Sequence, residues 1–157
     1  MKMEGSCHCG AVTFSVTSAD DGQPYLYCYC SICRKTQGGG GYAINLFGKA
    51  ATLKVRGRNH IKVYRVRGDR VEGGTKADRR RPSEARRSFC GTCGSALWVY
   101  DPRWPKLIHP FASAIDTELP RATSRTHIML DYKPRWVPVP RRDRLNRLHS
   151  AYPPGDG

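Results

Sequence analysis

Three tight cysteine clusters constrain this chain more than any other feature: Cys7 and Cys9; Cys28, Cys30 and Cys33; Cys90 and Cys93. No cysteine lies outside a cluster. Seven is an odd count, so complete disulfide pairing within one chain is excluded. C-x-C and C-x-x-C are spacings at which neighbouring thiolates share one metal ion. A redox C-x-x-C would account for one pair and leave five clustered cysteines without a role. All-sulfur tetrahedral sites suit zinc or iron. Iron–sulfur clusters usually take four cysteines at other spacings. The expected cofactor is therefore Zn²⁺, two ions per chain.

The middle cluster supplies three ligands within six residues, enough to hold one metal by a single loop. The outer clusters supply two each, and two plus two closes a tetrahedral site from Cys7, Cys9, Cys90 and Cys93. That pairing fastens the N-terminal strand to a distant part of the chain. A closed set of four is the structural kind of zinc site, and three ligands with an open fourth position is the catalytic kind. Spacing alone leaves other partitions open. His8 stands between two ligands, a place from which a side chain usually points away from the metal.

The rest of the chain reads as one mainly β domain. Hydrophobic residues make up 39% and aromatic residues 10%, a globular and not a disordered composition. Residues 11–16 alternate after Gly10, as a half-buried strand does. Residues 25–29 form a second strand running into the middle cluster, and 42–47 a third. Residues 52–55 and 61–66 look like a hairpin around Gly57, Arg58 and Asn59. Residues 85–89 and 96–100 flank the Cys90 knuckle, and 108–114 and 128–130 add late strands. No segment sustains a 3.6-residue period over three turns, although 141–149 has the makings of a short helix. The glycine run at 38–41 is placed to bring backbone close to the open site or its ligand. Residues 68–87 are polar and basic, an exposed loop between two strands. The tail after Ala151 is expected to be disordered.

Lysine and arginine number 27 against 13 acidic residues, a formal net charge of +14. Such a field attracts anions: nucleic acid, phosphates or small acidic substrates. No apolar run approaches the roughly 18 residues of a membrane span, and the N-terminus carries no apolar leader. The expected location is the cytoplasm, where thiols stay reduced.

The motif order is specific. Gly5-Ser6-Cys7-His8-Cys9-Gly10 precedes a strand; Cys28-Tyr29-Cys30-Ser31-Ile32-Cys33-Arg34-Lys35 and Phe89-Cys90-Gly91-Thr92-Cys93-Gly94-Ser95 follow. Over residues 4–140 the chain resembles the glutathione-dependent formaldehyde-activating enzyme family, which includes centromere protein V. The resemblance implies a β-tent fold spanning 1–140, with 141–157 as a partly disordered extension. It implies a structural zinc on Cys7, Cys9, Cys90 and Cys93, and an active-site zinc on Cys28, Cys30 and Cys33. It also implies a carbon–sulfur lyase that joins a small thiol such as glutathione to a small aldehyde, giving adducts such as S-hydroxymethylglutathione.

Near the middle cluster, Arg34 and Lys35 suit glutathione carboxylates, and Gly39, Gly40 and Tyr42 are the other candidate substrate contacts. No glutamate or histidine close in sequence to this loop presents itself as a base, so the general acid or base is unassigned. The alternative reading is a zinc-stabilised binding module for nucleic acid or an acidic protein. Its support is the basic run: Arg65, Arg67, Arg70, Arg79 to Arg81, Arg86, Arg87, Arg141, Arg142, Arg144 and Arg147. Aromatics do not interleave with these arginines as they do on single-strand binding surfaces.

Overall fold

The structure is a computed structural model and describes residues 1–37 and 39–153. Twelve strands and one α-helix form among the described residues. In chain order they are β1 (Lys2–Ser6), β2 (Thr13–Thr17), β3 (Tyr25–Cys28), α1 (Ser31–Gln37), β4 (Ala43–Asn45), β5 (Gly48–Lys49), β6 (Lys54–Arg56), β7 (Ile61–Tyr64), β8 (Arg86–Cys90), β9 (Ala96–Tyr100), β10 (Leu107–Pro110), β11 (Arg125–Ile128) and β12 (Asn146–Leu148).

The strands form three small sheets, β1-β2-β6, β5-β10-β9-β8-β7 and β12-β11-β3-β4. β1 and β2 pair antiparallel from Lys2 opposite Thr17 to Ser6 opposite Thr13. β8 and β9 pair antiparallel with a register shift at Ser88 and Phe89. β11 runs parallel to both β3 and β12 and places Ile128 opposite Cys28. The chain is thus mainly β, as its alternating segments predict.

Alternation along β2 buries Phe14 and Val16 and turns Thr13 and Ser15 outward, the period-two pattern of a half-buried strand. Phe14 meets Trp98 of β9 edge to face, ring centroids 5.0 Å apart. Met3, Val12, Leu46, Leu97 and Ile108 complete this first core. Burying side chains of this size contributes about 1.5–3 kcal/mol each. A second apolar cluster of Ala43, Val99, Phe111, Ile128 and Met129 encloses Cys28, Cys30 and Cys33.

Two local expectations are corrected. The strands on either side of Gly57 are not a hairpin: β6 pairs with β2 and β7 with β8, in different sheets. Residues 141–149 are not helical. The Asp143 carboxylate accepts from the Leu145 and Asn146 N–H groups, a turn that delivers β12 to the sheet edge beside β11. The helix α1, short of three turns, carries no periodicity long enough to read. Of the tail expected to be disordered, residues 154–157 lie outside the described residues.

Candidate metal centres

The β1–β2 and β8–β9 turns face each other and bring four cysteines together. Cys7 directly follows β1 and Cys90 ends β8, while Cys9 and Cys93 lie in the turns. Each turn is closed by its own backbone: Cys7 N–H donates to Val12 O at 3.0 Å, and Cys90 N–H to Ser95 O at 2.9 Å. Gly94 takes φ +78° to complete the second turn, a left-handed conformation that glycine adopts without strain. His8 N–H donates to Ser95 Oγ at 3.0 Å and ties the two turns together. Its ring is no member of the cluster; the four sulfurs lie within 4.8 Å of one another. Val12 N–H donates to Cys7 Sγ at 3.2 Å. The Cys93 thiol is pulled down to about 5, first by the Ser95 hydroxyl and then by surrounding backbone N–H groups, the direction that favours a thiolate.

Cys28, Cys30 and Cys33 form the second group, again with every sulfur within 4.8 Å of the others. Cys28 ends β3, Cys30 precedes α1 and Cys33 lies in its first turn. All three are buried, at 4, 5 and 3% exposure. Cys33 N–H points at Cys30 Sγ, 3.4 Å away. No fourth histidine, cysteine or carboxylate ligand joins this group among the described residues. The four-plus-three division that spacing suggests is therefore the spatial one.

The second centre has charged neighbours that cysteine spacing does not reveal. Arg87, on β8, aims both terminal guanidinium nitrogens at Cys33 Sγ, each at 3.6 Å. The Cys33 thiol lies well below its ordinary range because of hydrogen bonds from Cys28 and Cys30 and the charge of Arg87. Arg87 is thereby withdrawn from the basic surface. Glu72, from the loop between β7 and β8, accepts the Ser31 N–H at 2.8 Å, one residue beyond Cys30. A residue near the start of a strand ending in a ligand, as Arg87 is, was the one available sequence signal; Glu72 had none.

The proposed substrate contacts are spread around the centre. Arg34 is half-buried on α1, its Nε enclosed without a partner. Lys35, Gly39 and Gly40 are exposed. Tyr42 stacks on Tyr27 and Tyr29, ring centroids 5.1 and 5.4 Å away; these two rings alternate with Cys28 along the chain. Gly41 is buried where a Cβ would come within 2.3 Å of Val137 and 3.1 Å of Trp136. The close approach at the glycine run is thus to residues 136–137. Gly38 lies outside the described residues. A hollow of about 540 Å³ beside Tyr25, Tyr27 and Arg125 is lined by none of the seven cysteines.

A mainly β protein with two separate cysteine centres, one of four sulfurs and one of three, is a candidate metalloprotein with one closed and one open site. The comparisons make the class specific. The sequence profile of the family described as glutathione-dependent formaldehyde-activating enzyme matches residues 2–131. A Halomonas elongata protein, provisionally named a glutathione-dependent formaldehyde-activating enzyme, is 53% identical over 153 residues, 98% of this chain and 90% of that protein. The crystal structure of a Rhodobacter sphaeroides protein superposes with a TM-score of 0.55 at 25% identity, covering 77% of this chain and 93% of that one. The chain belongs to the glutathione-dependent formaldehyde-activating enzyme family.

Proposed function

We propose that the protein is a zinc-dependent carbon–sulfur lyase that interconverts glutathione plus formaldehyde with S-hydroxymethylglutathione. The observation that carries the reading is the three-sulfur centre, with no fourth protein ligand among the described residues and an arginine on one of its sulfurs. The donor set fits zinc. A tetrahedron with zinc–sulfur bonds of about 2.3 Å has edges of about 3.8 Å. The sulfurs stand 3.6 Å apart for Cys7 and Cys9, 3.8 Å for Cys9 and Cys90, and 3.4 Å for Cys28 and Cys30.

Cys7, Cys9, Cys90 and Cys93 would hold a structural ion, and Cys28, Cys30 and Cys33 the reactive one. Zn²⁺ held by Cys28, Cys30 and Cys33 would stabilise at neutral pH a thiolate arriving at the open fourth position. Arg87 offsets the negative charge that three thiolates leave around a dication, so an incoming thiolate meets a neutral centre. Ala43, Val99, Phe111 and Ile128 keep bulk water from the sulfurs, which strengthens these charge interactions.

The forward reaction forms a C–S bond between the glutathione sulfur and the aldehyde carbon. The C=O π pair moves to oxygen, which takes a proton from solvent. The reverse reaction breaks the same bond and returns that proton. Arg34 and Lys35, on α1 just after Cys33, suit the carboxylates of the thiol. The protein works in a reducing cytoplasm, where all seven thiols stay available.

Exchange spectroscopy with ¹³C-formaldehyde and glutathione tests the reading. Zinc-loaded protein should accelerate exchange between free formaldehyde and the adduct, and Cys30→Ser should abolish the acceleration. Exchange at the uncatalysed rate with metal-replete protein contradicts it.

A further inference from the structure

The loop between β7 and β8 is folded, not a loose connector. Ser83 N–H donates to Val66 O at 2.8 Å and closes its ends. Gly68 packs so tightly that a Cβ there would lie 2.0 Å from Asp78 O and 2.1 Å from Arg81 O. The loop walls a recess of about 330 Å³ whose lining includes Glu72, Arg81 and Tyr152, a volume within the range of small-molecule sites. One of these residues, Glu72, joins the recess to the three-cysteine centre. Glu72 Oε1 accepts from Ser31 N–H, beside Cys30.

The other oxygen, Glu72 Oε2, is shielded from solvent and has no hydrogen-bond partner. A buried carboxylate oxygen is costly unless a donor meets it. Glu72 makes no ion pair among the described residues: Arg87 is engaged with Cys33, and neither Arg34 nor Arg81, which is exposed at the rim, pairs with a carboxylate.

We infer that Glu72 is the anchor for the ammonium group of the thiol substrate, and that the recess holds its amino-acid end while its sulfur occupies the three-cysteine centre. The inference rests on the proposed function for the position of the sulfur. A free α-amino acid head carries an ammonium and a carboxylate on one carbon, and Glu72 and Arg81 line the recess with the complementary charges. A thiol lacking the ammonium leaves Glu72 Oε2 buried and unpaired, so selection is against such thiols as well as for glutathione.

The test compares glutathione with N-acetylglutathione, which keeps the thiol and both carboxylates but has no ammonium. Both are titrated into cobalt-substituted wild-type protein and Glu72→Gln, following the thiolate-to-metal charge-transfer band. Thermal melts establish that the variant is folded. Acetylation should weaken binding to the wild type about tenfold or more, the size of one charge-assisted hydrogen bond. Glu72→Gln should bind both ligands at the weaker level. Equal affinity of the wild type for the two thiols, with a normal band from each, overturns the anchor and leaves the proposed function standing. A preference for glutathione that survives in Glu72→Gln also overturns it. A wild type giving no band with either thiol overturns the proposed function, and the anchor with it.

Discussion

Arg87 directs both terminal nitrogens of its guanidinium at the sulfur of Cys33, 3.6 Å from each. A cation there withdraws charge from the thiolate and favours a further anionic ligand at the open position. Arg87→Gln should therefore weaken glutathione binding to the cobalt-substituted protein about 10–100-fold, as for loss of hydrogen bonds to a charged group. It should also raise the pH at which the charge-transfer band of the bound thiol develops. Arg87→Lys, which keeps the charge without the fork, should recover part of both effects. An unchanged pH midpoint in Arg87→Gln would mean that the arginine only packs there.

The two centres should differ in what they contribute to stability. Cys90 is fully buried and belongs to the site that clamps the β1–β2 turn to the β8–β9 turn. Its ligands span 87 residues of chain, from Cys7 to Cys93, so metal binding there is folding free energy. Cys28, Cys30 and Cys33 lie in one short segment. With zinc in equal excess, Cys90→Ser should melt lower than Cys30→Ser by about 10 °C or more, which for this size corresponds to several kcal/mol. The reverse order would contradict the assignment of structural and open sites.

The division of the cysteines was legible in the sequence because metal ligands come in short spacings that survive without knowledge of the fold. Thr13–Thr17 was legible because one face is buried and alternation records it; Ala96–Tyr100, buried at three consecutive residues, was legible as a short apolar run. Pairing partners were not. Val55 meets Phe14 and Ile61 meets Cys90, so the apparent hairpin dissolves into two sheets for reasons that lie far along the chain. Asn146–Leu148 has helix-compatible composition, and its strand conformation comes from the parallel partner β11. Arg87 and Glu72 were counted as part of a polar, basic stretch because nothing local distinguishes a charge facing a thiolate from one facing water.

His127 supplies a pH dependence. The Tyr29 hydroxyl lies 2.8 Å from Nδ1, and Asn146 Oδ1 lies 3.0 Å from Nε2. Asn146 gives its Nδ2 hydrogens to Asp143, so its oxygen accepts from Nε2–H and Nδ1 accepts from Tyr29. The ring is neutral in this arrangement, and burial lowers its pKa from the ordinary value of 6.5. A folded-state pKa below the unfolded one makes the unfolded state bind more protons as pH falls. The contribution is therefore present above pH 6.5 and lost as pH drops through the lowered value. The difference in melting temperature between wild type and His127→Gln should shrink from pH 7.5 to pH 5.5. Metal loss common to both proteins cancels in that difference. A gap that is constant or widens contradicts the neutral-ring assignment.

The central claim is that the open three-cysteine centre takes the sulfur of a thiol. Titrating glutathione and S-methylglutathione into cobalt-substituted protein tests it most directly. Glutathione should produce a saturable new thiolate-to-metal charge-transfer band that is absent in Cys30→Ser, and S-methylglutathione, whose sulfur cannot ionise, should produce none. If the methylated analogue perturbs the bands as strongly as glutathione does, sulfur ligation at this centre is wrong.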